Sequence, residues 1–267
     1  MTAARTASTR MPVLFVGHGS PLNVIEDNAW SRGFAALRGE TPRPAAILAI
    51  SAHWFVDGTY VTGNDAPPTI HDFGGFPREL YEIEYPARGH LSLATRVRTL
   101  LGEERTSLST AWGLDHGTWS VLRWMFPEAD VPVIQLSIDR RLDAQRHLEL
   151  GRSLAALRDE GVLVVGSGNV VHNLRDAFGR MQSGDVRTPD WARRFDDTVA
   201  EMLRQRDERA LLAAVPATAD GRMSHPTPDH WLPLLYAYAA TDDRDATRFP
   251  ITGFDLGSLS MRSVVFG

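Results

Sequence analysis

The chain has 267 residues, 43% hydrophobic and 23% charged, which is enough apolar content for a substantial core in a single large domain. Its formal charge of −5, with no basic block, argues against nucleic acid or an anionic membrane as the main partner and leaves a small molecule. There is no cysteine, and all 28 basic residues are arginine, so thiolate nucleophiles, disulfides, zinc–thiolate and iron–sulfur sites, Schiff bases and a P-loop lysine are excluded.

Residues 1–10, MTAARTASTR, read as a disordered arm before a domain of residues 11–267. The arm lacks the apolar stretch of a secretory signal, and no segment approaches the roughly 18 apolar residues of a membrane span, so a cytoplasmic protein is expected. Val13 to Val16 form a run buried on both faces, a strand stopped by the turn Gly17 to Pro21. His18 then sits just past a strand's carboxyl end, the edge at which open α/β sheets bind ligands. Further buried strands are expected at 45–54, 131–138 and 162–172. Residues 56–90 show no clear periodicity, and their Phe73, Phe76, Tyr81 and Tyr85 suggest a packed functional loop. Between the last two strands, Leu150, Leu154 and Leu157 share one helical face and Gly161 supplies a stop, which makes a β-α-β unit. Another amphipathic helix should start at Thr188-Pro189, cap then first-turn proline, and bury Trp191, Phe195, Val199 and Met202. The C-terminal FPITGFDLGSLSMRSVVFG reads as one or two strands that close the sheet. The pattern as a whole predicts an α/β fold, a single domain with a central mixed, largely parallel sheet flanked by helices.

With thiolate and amine chemistry removed, histidine, carboxylate and metal remain for difficult reactions, and nine histidines are present. His90, in a polar loop, and His147, on a helix beside Arg146, read as structural. His18 and His53 both follow buried strands directly, and His172 lies a few residues beyond the fourth. Rigid strand ends suit metal coordination, and three convergent ones are hard to assign to packing alone. Pro233 is tolerated only in a helix's first turn, so a helix should begin near Asp229 with His230 at its N-terminus, where the partial positive charge keeps the imidazole neutral and able to bind a metal. A simple capping role is the alternative for His230. His116 precedes an expected helix at 119–126 and is flanked by Asp115, which would raise its pKa and suit it to proton donation or to anchoring an anionic substrate oxygen. His71 in the long loop could do the same or serve a lid, and His225 could form a pocket wall. Trp54, Trp112, Trp119 and Trp231 could line a pocket for a flat ring, with core packing the commoner role of such residues.

The stretches LFVGHGSP, ISAHWF, PPTIHDFGGFP, WGLDHGTW, VPVIQLSID, GSGNVVHNL and HPTPDHWLPLLYA occur in that order. In them the chain resembles the class III extradiol ring-cleavage dioxygenases (LigB-like), in the branch with the DOPA-type enzymes of bacteria and plants, from about Met11 to Gly267. The resemblance implies a mononuclear metal held by His18, His53 and His230, with His172 as acid/base and sometimes a fourth ligand. It also implies that His116 helps to bind and protonate the substrate. A catechol and O2 are the implied partners, a muconic semialdehyde the product, and ferrous iron the metal needed for activity. Three neutral imidazoles also suit zinc, which can occupy such a site in isolated protein. On residues alone, a zinc hydrolase and a metal-binding or chelatase-like protein stay open as alternatives, as does a relative that has lost activity. A monomer or small homo-oligomer is expected.

Overall fold

The apolar runs become the middle of one sheet. In the computed structural model, which describes residues 10–185 and 187–267, the chain order is β1 (Val13–Gly17), α1 (Ala29–Leu37), β2 (Ala46–Val56), β3 (Thr59–Thr62), α2 (Arg78–Tyr81), α3 (Leu91–Leu101), β4 (Thr106–Ser109), α4 (His116–Met125), β5 (Val133–Asp139), α5 (Ala144–Ser153) and β6 (Val162–Gly168). There follow α6 (Leu174–Ser183), α7 (Asp190–Gln205), α8 (Glu208–Ala217), α9 (Ala219–Ser224), α10 (Leu232–Ala239), β7 (Thr247–Ile251), β8 (Phe254–Asp255), β9 (Leu259–Ser260) and β10 (Ser263–Phe266). The main sheet has the order β4-β3-β5-β2-β6-β1-β10-β7. Its centre, β5-β2-β6-β1, is parallel; β10 and β7 extend it antiparallel on one side, and β3 pairs antiparallel to β5 on the other.

Strand side chains alternate between faces, so each central strand feeds two cores. Val13, Phe15, Leu48, Ile50 and Val164 pack with Val97 of α3, Leu148 of α5, Phe195 of α7 and Leu235 of α10. Leu14, Val16, Ile47 and Val165 face the other way, onto Phe34 of α1 and onto Trp119 and Met125 of α4. That is the α/β architecture expected from the pattern, a mixed and mostly parallel sheet between two helical layers.

Several local readings need correction. Residues 56–90 are not one loop: Thr59–Thr62 form β3 inside the sheet, too short to show a period. The helix after Thr188 begins at Asp190 with Pro189 as its N-cap, one residue later than the cap-then-proline reading. The helical run from 143 ends at Ser153 and tightens into a 3-10 segment, Ala155–Glu160, before Gly161 stops it at φ 79°. His147 is structural, as read, but it is fully buried rather than solvated, with Nδ1 2.9 Å from the Tyr236 hydroxyl. Arg10, placed in the disordered arm, is half-buried and pairs with Asp242 at 2.8 Å; the rest of the arm, residues 1–9, lies outside the described residues. No helix among the described residues is long and apolar enough to cross a membrane.

Parallel pairing puts the carboxyl ends of β1, β2 and β6 on one edge. Gly17 is level with Gly168, and Ser51 with Ser167. Whatever follows these residues must leave the sheet at a common place, in a crevice with β6 between β1 and β2.

Candidate metal centre

His18 is the first residue past β1, its amide donating to the Gly168 carbonyl at 3.1 Å. The glycines beside it make room for protein rather than for a ligand. A Cβ on Gly17 would lie 2.8 Å from the backbone of Met261, and Gly19 is left-handed at φ 64° against the Met261 side chain. His53 does not follow its strand but lies within β2, where the register against β5 shifts between Ile50 and Phe55. Such a bulge turns a side chain toward the sheet's end, which an uninterrupted strand could not do.

His230 precedes α10, which starts at Leu232, three residues later than expected. Its carbonyl accepts the Asn169 amide at 3.1 Å and passes so close to Gly168 that a Cβ there would lie 2.3 Å away. The glycine that ends β6 therefore decides how near His230 can come. His116 is the first residue of α4, which begins three residues earlier than the sequence suggests. His172 lies in the loop after β6, its amide donating to the Ser224 carbonyl at 2.9 Å.

These five imidazoles gather. Ring centroids of His18, His53 and His230 are 5.1 to 5.3 Å apart, and one ring nitrogen from each lies within 4.8 Å of the others. His116 packs on His53 at 3.9 Å, and His172 stacks on His230 at 3.4 Å with planes 5° apart. His71 and His225 stand outside this group. The His71 Nε2–H donates to the Ile83 carbonyl at 2.9 Å, with the ring beside Phe73, Tyr81 and Trp119. His225 is buried between Phe195 and Trp231, its Nε2–H donating to the Val170 carbonyl at 2.8 Å. Of the tryptophans considered as pocket walls, Trp54, Trp119 and Trp231 are core residues.

The partners of the Nδ1 atoms settle the tautomers. Ser167 Oγ donates its only proton to the Gly117 carbonyl at 2.5 Å, so it must accept from His18 Nδ1–H at 2.9 Å. His230 Nδ1 faces a carboxylate oxygen of Asp229, and His53 Nδ1 lies 3.1 Å from Asp72 Oδ2. Carboxylates only accept, so these nitrogens also carry their protons. The three Nε2 atoms are then bare lone pairs. His18 Nε2 and His53 Nε2 are 3.2 Å apart, and the buried His230 Nε2 has no partner. Lone pairs converging without a proton between them repel, and a cation among them turns that repulsion into coordination. The residues therefore fit a metal of the imidazole-binding kind.

Electrostatics agree with neutral rings at His18, His230 and His172. Burial first, then the neighbouring imidazoles, holds His18 and His230 well below the ordinary histidine range; burial pushes His172 down to about 3. Burial also opposes charge on His53, but Asp72, Asp115 and Asp229 outweigh it and raise that group. Asp115 does not orient His116, as its position in sequence suggests. It caps α4 through the Thr118 amide at 3.2 Å and accepts from Gln135. His116 is lowered by burial rather than raised, and its carboxylate is Asp72, 3.0 Å from Nδ1. Asp72 and Ser167 went unnoticed in the sequence; the histidine before Asp72 drew the attention.

Residues 14–265 match the family described as the catalytic LigB subunit of aromatic ring-opening dioxygenase, and the chain belongs to that family. It is an extradiol ring-opening dioxygenase, which removes the hydrolase and chelatase alternatives. Among its relatives, 4,5-DOPA dioxygenase extradiol of Escherichia coli (strain K12) is 49% identical over 264 residues, covering 98% of this chain and 96% of that protein. The Beta vulgaris protein of the same name is 36% identical, covering 94% and 95%. The crystal structure of an uncharacterized Escherichia coli K12 protein superposes with a TM-score of 0.84 at 44% identity, covering 97% of this chain and all of the other.

Proposed function

We propose that this chain opens the ring of a DOPA-like catechol beside its two hydroxyls, using O2 and a divalent metal held by His18, His53 and His230, to give a muconic semialdehyde. The observation that carries this reading is the convergence of three bare Nε2 atoms, each with its Nδ1 tied elsewhere. The relatives named for DOPA support the substrate class. Ferrous iron, when bound there, supplies the one-electron chemistry that lets dioxygen react with an organic ring, and three protein ligands leave positions for both substrates. Zinc would fit the same nitrogens without that redox capacity.

The remaining work falls to side chains. His172, partly buried and stacked on His230 at 3.4 Å, would take a catechol proton. It could also approach as a fourth ligand. His116, with Nδ1 3.0 Å from Asp72, keeps Nε2 as an acceptor for the second catechol hydroxyl: it takes that proton there and hands the same proton back to a substrate oxygen. Phe73 stands edge-on to His116 at 5.5 Å and offers an apolar wall to a flat ring. His71 and His225 serve substrate binding indirectly, by pinning the loop at Ile83 and the turn at Val170.

Oxygen uptake with substituted catechols tests this. Metal-stripped protein refilled with Fe2+ should consume O2, and protein refilled with Zn2+ should not; uptake with zinc alone would refute the redox role. His18→Ala should lose metal and turnover together. His172→Ala should keep the metal and lose turnover, and full activity in that variant would remove it from the mechanism.

A further inference from the structure

Asp72 touches two of the gathered rings at once. Its Oδ2 lies 3.1 Å from His53 Nδ1 and 3.0 Å from His116 Nδ1, electrostatic contacts rather than well-aligned hydrogen bonds. Its Oδ1 accepts the backbone N–H of His116 at 2.8 Å, at the positive end of α4. The two ring centroids lie 3.9 Å apart with planes tilted by 51°, so the rings crowd each other beside that oxygen. A lone pair aimed at a carboxylate oxygen at this separation is repelled, and an N–H is attracted. Both Nδ1 atoms must therefore hold protons, and both Nε2 atoms point away from Asp72 as acceptors.

The loop that carries Asp72 is pinned at Ile70, two residues before it. The Ile70 amide donates to the Leu114 carbonyl at 2.7 Å, and the Ile70 carbonyl accepts Trp119 Nε1 at 2.9 Å. The next residue, Phe73, is the apolar wall against His116. We propose that Asp72 is a positioning residue: it sets His53 and His116 in the same Nδ1–H tautomer and links the seating of the aromatic loop to the competence of the metal centre. This rests on the proposed metal-binding role of His53. Without Asp72, both rings are free to adopt the Nε2–H form, which puts a proton where His53 must offer a lone pair. A carboxylate behind a metal-binding histidine is commonly worth about 10–100-fold in metal affinity.

Two measurements test it, neither of which needs turnover. Long-range 15N–1H correlation spectra of the metal-free protein, assigned with His53→Gln and His116→Gln, should show Nδ1–H imidazoles at both positions, and Asp72→Ala should lose that pattern at both. Titration with Zn2+ alone should show binding weakened about 10–100-fold in Asp72→Ala and restored in part by Asp72→Glu. If Asp72→Ala does not fold, Asp72→Asn keeps the volume without the charge and should show the same loss in smaller measure. An Nε2–H imidazole at position 53 in the unsubstituted protein, or unchanged tautomers and Zn2+ affinity in the variants, overturns the proposal. If the spectra and zinc titrations come out as expected while iron-loaded protein consumes no oxygen, the assigned reaction fails and the positioning role stands.

Discussion

A histidine becomes a metal ligand through what holds its other nitrogen. His18 illustrates this at the smallest scale. Its Nδ1–H has an acceptor in Ser167 Oγ only because the Ser167 proton is spent on the Gly117 carbonyl. Replacing Ser167 by alanine should leave His18 free to rotate or change tautomer, and Zn2+ affinity should fall about tenfold, read by calorimetric titration. Equal affinity would mean that Ser167 only packs. His18 was legible in the sequence because a glycine turn after an apolar run is a local signal. Ser167 was not, because it lies 149 residues away and looks like any strand serine.

At the scale of elements, the end of β6 determines the approach of the segment before α10. Gly168→Ala would place a Cβ 2.3 Å from the His230 carbonyl, a backbone atom that cannot step aside alone. We expect a loss of about 1–3 kcal/mol in urea unfolding, together with weakened metal binding as His230 is displaced. Gly179, inside α6, is the control. An added Cβ there meets nothing within 4 Å, so Gly179→Ala should stabilise by about 0.5–1 kcal/mol and leave metal binding unchanged. A stabilising Gly168→Ala would show that the close passage is relaxed in solution. Element placement was readable where runs were long, as in β1, β5 and β6. It failed for β3, a four-residue strand whose membership of the sheet comes from its neighbours, and for the bulge in β2, whose register is set by β5.

Across the whole molecule, buried neutral histidines tie stability to pH. Burial pushes His147 and His225 down to about 4 from an ordinary value near 6.5. Above pH 6.5 neither state binds the proton, and stability is complete. As the pH falls from 6.5 toward 4 the unfolded chain takes up protons that the folded chain refuses, so stability is lost throughout that window. Each group contributes a slope of about 1.4 kcal/mol per pH unit, about 3 kcal/mol in total. Urea melts of metal-free protein at pH 7, 6 and 5 should show the decline. His147→Gln, which cannot titrate, should be less acid-sensitive than the parent, whatever it costs by losing the Tyr236 contact. An unchanged slope would mean that His147 takes up its proton in the folded state.

By itself the sequence determined the α/β class, the strands that make the sheet's centre and the set of histidines that could meet. Those features are written in neighbouring residues: apolar runs, glycine turns, prolines before a helix. Only the tertiary structure decided which carboxylate and hydroxyl stand behind each imidazole, that Asp72 rather than the adjacent Asp115 serves His116, and that Gly17 and Gly19 yield to Met261. The reason is geometric. Parallel strands bring together residues that the chain keeps far apart, and a proton's position on a ring depends on an atom a few ångströms away in space, whatever its distance along the chain.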